Sequence, residues 1–431
     1  MIKNTKKIAL FWFRRDLRLE DNTALNKALA SGFDVLPIFI FDQHILEDIV
    51  VDDARLSFIH SSLDSINDKL LSKGSSIRCL KGNPYNVWQQ LIEEYEIAEV
   101  FVNKDYEPFS KERDNQTKQL LNSNGIAFNA FKDQVIFEEN EIIKEDGSPY
   151  TMFTPYKNKW IKTFQQLTIN PKTEVAWENF MKVHHPFPSL LQLGFIKSNI
   201  LVKDVDLNQL DHYNQTRDFP AADSTSYLSP HLRYGTLSIR KIITALKAKH
   251  ATFLGELIWR EFFMQIMHHF PKVVNQNFKS KYDKIRWNNN EDDFKKWCEG
   301  KTGYPLVDAG MRQLNESGYM HNRVRMVTAS FLCKHLLIDW RWGEAYFAQK
   351  LLDYELSSNN GNWQWVAGTG CDSAPYFRIF NPSEQLKKFD KDKVYVKKWV
   401  PEYGTEDYPE PMIDHSFARN RTLKAYKVIN E

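Results

Sequence analysis

The sequence predicts an α/β domain with a doubly wound parallel sheet, followed by an all-helical domain. Short apolar runs alternate with helical patterns near the N-terminus, which is typical of repeated βαβ units. Further along the chain, apolar residues recur at the three- and four-residue spacing of helices. Five prolines interrupt the pattern in between. We therefore predict an α/β domain over 1–131, a connection over 132–205 and a helical domain over 206–431.

Five strands of the first domain are predicted from their apolar, β-prone residues. They are expected at residues 8–13, 35–41, 77–80, 100–103 and 127–131. Helical spacing over 53–73 ends at Gly74, and Gly32 and Gly125 stand at equivalent places, as left-handed caps do. The first strand is followed by Arg14 to Arg18 instead of Gly-x-Gly-x-x-Gly, which disfavours an ordinary dinucleotide site.

Helices of the second domain are predicted at 236–249, 252–269, 304–317, 320–337 and 342–354. Aromatic residues make up 14% of the chain, and ten of the twelve tryptophans lie from Trp160 onward. This excess of rings belongs mainly to the helical half and its connection.

Composition excludes several classes of protein. The chain has 57 Lys plus Arg against 55 Asp plus Glu, and its apolar runs are too short for a membrane helix. The N-terminal apolar stretch ends at Arg14, too early for a signal peptide, so we expect a cytoplasmic protein. The four cysteines are widely spaced, which suggests neither a zinc site nor a disulfide framework.

Two predicted helices carry unusual polar groups. Glu256 shares a face with Trp259, and the alternative is a surface pair between Glu256 and Arg260 with an ordinary packed tryptophan. On the later helix, Asn322 and Met326 are four residues apart beside two arginines, and the alternative is a solvated basic face. Acids, amides and tryptophans also crowd into residues 353–365, which turn chemistry alone does not require.

These segments resemble the cryptochrome and photolyase family, and within it the bacterial class I cyclobutane pyrimidine dimer photolyases. The resemblance covers nearly the whole chain. Its marks are the motifs at 11–18, 228–235, 256–263, 301–305, 359–365 and 376–382. Several motifs in the family order make a chance match implausible.

The resemblance implies an FAD bound by the helical domain. Arg325 would pair with Asp353 beside the flavin ring, and Asn359 would face flavin N5. The implied cofactor-binding positions are Tyr213, Thr225, Ser226, Tyr227, Leu228, Ser229, Arg325, Asp353, Tyr354, Glu355 and Asn359. Trp363, Trp340 and Trp287 would carry an electron from the surface to the flavin, whereas the alternative is that these rings only pack.

The resemblance also implies light-driven repair of DNA containing pyrimidine dimers. Glu256 would hydrogen-bond the bases of the dimer, which must be flipped from the duplex. The implied DNA- and dimer-binding positions are Arg217, Glu256, Trp259, Arg260, Asn322, Arg323, Met326, Trp365 and Gln385. Relatives that repair the 6-4 photoproduct carry histidines where Asn322 and Met326 stand, so a cyclobutane dimer is the expected substrate.

Two questions stay open at this stage. Glu107 resembles an acid that contacts a folate antenna, but residues 270–273 lack the pattern that accompanies it. The antenna is therefore methenyltetrahydrofolate, another chromophore, or absent.

The alternative function is a cryptochrome-like photoreceptor, which the end of the chain soon after the last motif disfavours. A third possible function, a DNA-binding module without catalytic activity, would leave the flavin-binding positions unexplained. We also expect the protein to be a monomer that binds no metal.

Overall fold

The structure is a computed structural model and describes residues 4–427, with side chains from Lys6 onward. The chain divides into two compact units, neither of which is contiguous in sequence. Within the described range, the first unit comprises 4–138, 166–203 and 228–246, and the second comprises 139–165, 204–227 and 247–427. The expected boundaries at 131 and 205 separate contiguous segments, so this interleaving differs from the predicted organisation.

The first unit is built on one five-stranded parallel sheet. Its strands are β1 (Asn4–Phe13), β2 (Asp34–Asp42), β3 (Arg78–Gly82), β4 (Tyr95–Asn103) and β5 (Ala127–Phe131). The strand order is β3-β2-β1-β4-β5, with Phe11 opposite both Pro37 and Phe101. All five predicted strands are present, and the predicted doubly wound α/β class is confirmed.

The helices between these strands cover the sheet with apolar residues. They are α1 (Thr23–Leu29), α2 (Gln43–Leu46), α3 (Ala54–Leu71), α4 (Pro84–Glu94) and α5 (Pro108–Ser123). In α3, Leu56, Leu63 and Leu70 are buried at the predicted helical spacing. Separate cores lie on the two faces of the sheet: Phe11 belongs to one and Trp12 to the other, as alternate residues of a strand should.

Residues 139–246 contribute to both units in turn. α6 (Phe153–Phe164) and α7 (Tyr213–Thr216) belong to the second unit, whereas α8 (Leu228–Tyr234) and α9 (Ile239–Ala245) belong to the first. The helix predicted at 236–249 is shorter in the structure. Its first residue follows Ser238, whose hydroxyl accepts from two backbone amides, and Leu246 is already extended.

The second unit contains only helices as regular structure in its described part. After α6 and α7 these are α10 (Ala251–His269), α11 (Glu291–Cys298), α12 (Pro305–Ser317), α13 (Asn322–Ser330), α14 (Trp340–Lys350), α15 (Leu356–Ala367), α16 (Pro382–Phe389), α17 (Val394–Trp399) and α18 (His415–Tyr426). Short 3-10 turns link several of them. No helix in the described part of the chain is both long and apolar enough to cross a membrane.

The helix predicted over 320–337 is regular only to Ser330. A π-helical turn over Phe331–Leu336 follows, and Leu337 adopts a left-handed conformation with φ of 56°. The C-terminal helix α18 supplies partners for this turn, since Arg421 donates to the carbonyl oxygen of His335 and Thr422 to that of Lys334. The prediction missed the turn because its hydrogen bonds depend on a helix far away in sequence.

The helix predicted over 342–354 occupies Trp340–Lys350. Asp339 caps it two residues earlier than expected by accepting from the amide of Arg341 at 3.0 Å. Leu351 has extended backbone and ends the helix.

Candidate functional site

Helix α10 carries Glu256 toward the short helix α7. Glu256 Oε1 lies 2.7 Å from Nη1 of Arg217, whose guanidinium also stands 5.2 Å from the centre of the Tyr213 ring. Both side chains of the ion pair are about one third exposed, at 27% for Arg217 and 35% for Glu256. The structure therefore joins two sequence-predicted residues from separate segments.

Trp259 lies one turn further along α10 and is half-buried. Its ring stacks on Phe153 with centroids 3.6 Å apart and an interplanar angle of 8°. On the same helix, Phe263 lies 5.3 Å from it. Helix α6 is fixed here by Trp160, whose indole N–H donates to Glu261 at 2.7 Å. Both supporting aromatics on α6 were missed in the sequence.

Helix α13 begins at the next group of predicted residues. His321 accepts from the amide of Arg323 and caps the helix, and Asn322 is exposed at its first position. Nη2 of Arg323 lies 2.6 Å from Oδ1 of Asp218, and its guanidinium stands 4.4 Å from the centre of the Phe389 ring. Met326 is half-buried one turn later.

Two buried polar atoms in this region have no hydrogen-bond partner among the described residues. They are Nε of Arg323 and Oε1 of Gln385, which lies on α16. The contact between Arg323 and Phe389 links α13 to α16. Because buried polar atoms are normally satisfied, such atoms suggest a partner that the protein itself does not supply. Trp365 is half-buried on α15 and packs against the core of the second unit.

The predicted pair between Arg325 and Asp353 is present. Nη2 of Arg325 lies 3.0 Å from Oδ2 of Asp353, and Nε donates to the carbonyl oxygen of Met320 at 2.8 Å. Asp353 is nearly buried at 8% side-chain exposure, whereas Arg325 is 28% exposed. The pair therefore leaves a partly accessible cation beside a satisfied carboxylate.

Asn359 is buried and is held by a residue that the sequence did not suggest. Its Nδ2 donates to Oε1 of Glu344 at 2.8 Å and to the Glu344 carbonyl oxygen at 3.1 Å. Burial raises the pKa of Glu344, and the hydrogen bond from Asn359 opposes this rise. Since both donated bonds go to Glu344, Oδ1 of Asn359 remains as the acceptor of the amide.

The other acid of this segment has a structural role. Glu355 caps α15, and its carboxylate accepts from the Ser358 amide at 2.9 Å and from the Ser357 hydroxyl at 2.6 Å. Tyr354, just before it, is half-buried. The predicted cofactor contact of Glu355 thus involves a carboxylate that already accepts local hydrogen bonds.

The segment before α8 contains the remaining predicted cofactor positions. Thr225, Ser226 and Tyr227 are half-buried in the second unit, while Leu228 and Ser229 begin α8 of the first unit. Tyr227 has φ of 51°, a left-handed conformation that is uncommon for a residue with a side chain. Burial, together with nearby Glu256, raises the pKa of Tyr213 to about 12.

The three predicted electron-transfer tryptophans differ in exposure. Trp363 and Trp340 are buried, and Trp287 is partly exposed. The rings nearest Trp363 are Phe347 at 5.0 Å and Trp297 at 6.2 Å.

Trp340 and Trp287 have separate polar and aromatic partners. Trp340 donates to Asn277 at 2.8 Å, and Trp287 lies 6.2 Å from the ring of Tyr426. Two buried rings and a partly exposed third suit a path to the surface, and the ring contacts also suit packing.

Glu107, the predicted antenna residue, belongs to a charge network in the first unit. It pairs with Arg15 at 3.1 Å and with Arg233 at 2.9 Å. Burial of the adjacent Asp105 raises its pKa, but Arg15, Arg233 and further arginines outweigh this and hold the pKa well below its usual range. The carboxylate of Glu107 is therefore already neutralised by cations of the same unit.

The sequence matches the family described as DNA photolyase over residues 9–176, and the FAD binding domain of DNA photolyase over residues 253–405. A curated relative, the deoxyribodipyrimidine photo-lyase of Vibrio cholerae, is 37% identical and covers 97% of this chain and 99% of its own.

Solved structures agree with the sequence comparison. A bacterial class III photolyase from Agrobacterium tumefaciens superposes with a TM-score of 0.88 at 34% identity, covering 99% of this chain and 98% of that one. An archaeal photolyase from Sulfolobus tokodaii, described with two FAD molecules, gives a TM-score of 0.85 at 35% identity over 97% and 99% of the two chains. The chain therefore belongs to the DNA photolyase family.

Proposed function

We propose that this chain splits cyclobutane pyrimidine dimers in DNA, driven by light. The observation that carries this proposal is the ion pair between Arg217 and Glu256 beside the stacked Trp259, at positions that the resemblance assigns to DNA and dimer binding. Identity of 37% with a deoxyribodipyrimidine photo-lyase over nearly the full chain supports the same reaction. The photoreceptor alternative has no comparable observation in its favour.

The donors and acceptors of the second unit fit an FAD. Oδ1 of Asn359 is an acceptor fixed in place by Glu344, which suits a ring N–H such as that on N5 of a reduced flavin. The partly accessible guanidinium of Arg325 and the hydroxyls of Thr225 and Ser226 suit the polar groups of such a ligand. Bound reduced FAD would supply one-electron transfer on absorbing light.

The chain's own residues would bind and orient the dimer. Glu256 would accept hydrogen bonds from base N–H groups, and Trp259 would offer an aromatic surface that Phe153 keeps rigid. Asn322 would add a polar contact from its exposed position, and Met326 would line the pocket. These groups would hold the dimer in one position and orientation before the reaction starts.

The acid–base character of α13 favours a cyclobutane dimer over the 6-4 photoproduct. His321 is the histidine next to Asn322, and burial lowers its pKa to about 4. Its ring accepts a hydrogen bond from the helix as a cap. A neutral, capping histidine is a poor proton donor at neutral pH, which agrees with a substrate that needs no general acid.

Contacts with the DNA backbone would come from Arg217, Arg260, Arg323 and Gln385. Such contacts set register and carry no sequence information. In this structure Arg217 and Arg323 are paired with carboxylates, so binding a phosphate would exchange one partner for another. Nε of Arg323 would gain an acceptor in the complex.

We also propose that Trp363, Trp340 and Trp287 form the route by which an external electron donor reduces the cofactor. Trp363 and Trp340 are buried whereas Trp287 is partly exposed, which supports Trp287 as the surface end of the route. Replacement of Trp287 by Phe should block light-driven reduction of the oxidised protein. Reduction at the wild-type rate would show that these rings only pack.

The decisive experiment uses the chemically reduced, FAD-loaded protein with ultraviolet-irradiated oligothymidine. Blue light should restore the absorbance of the bases, while a dark sample should not change. A protein that binds FAD and photoreduces, yet leaves the dimers intact, would refute repair and support the photoreceptor alternative.

Other expectations from the sequence remain predictions. The class I assignment is one, since a solved relative is described as a class III photolyase. A folate antenna at Glu107 is another, and the two arginines around that acid make it a less available ligand. A monomeric, cytoplasmic, metal-independent protein completes the proposal.

A further inference from the structure

Asp218 forms an ion pair for which neither the sequence motifs nor the proposed chemistry accounts. Its Oδ1 lies 2.6 Å from Nη2 of Arg323, across 105 residues of sequence. The residue before it, Arg217, pairs with Glu256 at 2.7 Å. Two adjacent residues thus pair with the α10 acid and the α13 arginine.

Two groups of the protein already contact the Arg323 guanidinium, the Phe389 ring and the Asp218 carboxylate. Phe389 faces the guanidinium at 4.4 Å. The side chain of Arg323 is only 20% exposed, whereas that of Asp218 is 41% exposed. Guanidinium groups bind carboxylate and phosphate oxygens with the same hydrogen-bond geometry. The Asp218 carboxylate is therefore bound to the guanidinium group that a backbone phosphate would need.

We propose that Asp218 is a phosphate surrogate that competes with the DNA backbone for Arg323. The inference rests on the proposed function, because the competing anion is a DNA phosphate. Every DNA molecule that uses Arg323 must displace Asp218, so the affinity for DNA is lower than Arg323 alone would give. Since phosphates carry no sequence or damage information, the reduction is the same for damaged and undamaged duplexes.

The test measures binding of a fluorescent duplex in the dark, with and without one dimer, to the FAD-loaded protein. Asp218→Asn should tighten both affinities by the same factor, about two- to fivefold, as expected for release of an exposed ion pair. Asp211→Asn is the matched control, because Asp211 is also a surface carboxylate, 47% exposed and paired at 2.7 Å with Lys249. It removes the same charge from the same unit.

The same substitution in an Arg323→Gln protein shows whether the increase in DNA affinity depends on Arg323. In Arg323→Gln, adding Asp218→Asn should give no more than the small change seen with Asp211→Asn. Asp218→Glu keeps the carboxylate and should keep the weaker binding, which guards against a general effect of substitution at this position.

Three results would overturn the inference: equal affinities for the Asp218→Asn and Asp211→Asn proteins, a gain that persists without Arg323, or a gain confined to damaged DNA. Failure of the proposed function is recognised separately. It appears as absent light-dependent repair by the wild-type protein, which the dark binding measurements do not require.

Discussion

Replacing Lys334 by Met should change how stability depends on pH, because this lysine is buried without a carboxylate. It is fully inaccessible within the π-helical turn. Its Nζ donates to the carbonyl oxygen of Tyr376 at 3.0 Å and lies 4.0 Å from the centre of the Tyr426 ring. No salt bridge to it is found among residues 4–427. Burial lowers its pKa from 10.5 to about 7.

The direction in which the free energy of unfolding changes with pH depends on how many protons the folded and unfolded states bind. Between these two pKa values the unfolded chain keeps the lysine protonated while the folded protein does not, so the free energy of unfolding rises with pH. The destabilisation is complete below the folded pKa of about 7 and disappears above 10.5. A shift of this size corresponds to on the order of 4–5 kcal/mol over the whole window, or about 1.4 kcal/mol per pH unit.

The assay is urea unfolding of the wild-type and Lys334→Met proteins, followed by tryptophan fluorescence. Other titrating groups cancel in the difference between the two proteins. The advantage of Lys334→Met should therefore shrink by about 2–3 kcal/mol between about pH 7.5 and 9.5. Lys397→Met removes an exposed lysine and is the control for the loss of a lysine side chain. Parallel curves for wild type and Lys334→Met would refute the reasoning.

The remaining predictions concern the site and its support. Glu256→Gln should slow dimer repair at unchanged flavin content, measured as repaired dimers per absorbed photon, and wild-type repair would remove Glu256 from the reaction. Glu344→Ala removes the carboxylate that accepts from the buried amide of Asn359 at 2.8 Å, leaves only the backbone carbonyl oxygen as its acceptor, and should shift the flavin absorption and midpoint potential; unchanged spectra and potential would show that the amide does not meet the flavin. Gly361→Ala should destabilise the protein by about 1–3 kcal/mol, because the new methyl group would overlap the ring of Phe263. Gly255→Ala, in the neighbouring helix with only the flexible end of a lysine nearby, should be neutral or stabilising in the same unfolding measurement, and equal losses would contradict the packing argument.

The sequence was most informative where local pattern decides the structure. The strands were found because each contains a short apolar run, which in β1 and β2 is buried, and α10 because its apolar residues repeat along 19 residues. The motifs paired Arg325 with Asp353, and the structure has this ion pair. The role of Glu256 in the site stays a prediction, and the structure shows it paired with Arg217. These features depend on residues close in sequence or on whole motifs.

Pairings between isolated polar residues could not be predicted. Glu344 and Asp218 each reach a partner through tertiary packing, and nothing in the residues beside them marks it. For Glu355, by contrast, a local pattern was present in the sequence and was overlooked. A resemblance assigned it to the cofactor, yet the two serines that follow it offer an N-cap pattern that would have indicated its local bonds.

The interleaved order of the two units has a consequence for synthesis on the ribosome. The first unit is complete only when residue 246 has been made, although its sheet ends at Phe131. Helix α6 emerges earlier but packs on α10 through contacts that span about a hundred residues, such as Trp160 with Glu261. The apolar face of α6 cannot be buried until α10 has been synthesised, and contacts between distant residues form slowly. The nascent chain therefore exposes aromatic surface during this interval, when chaperones would have the most to bind.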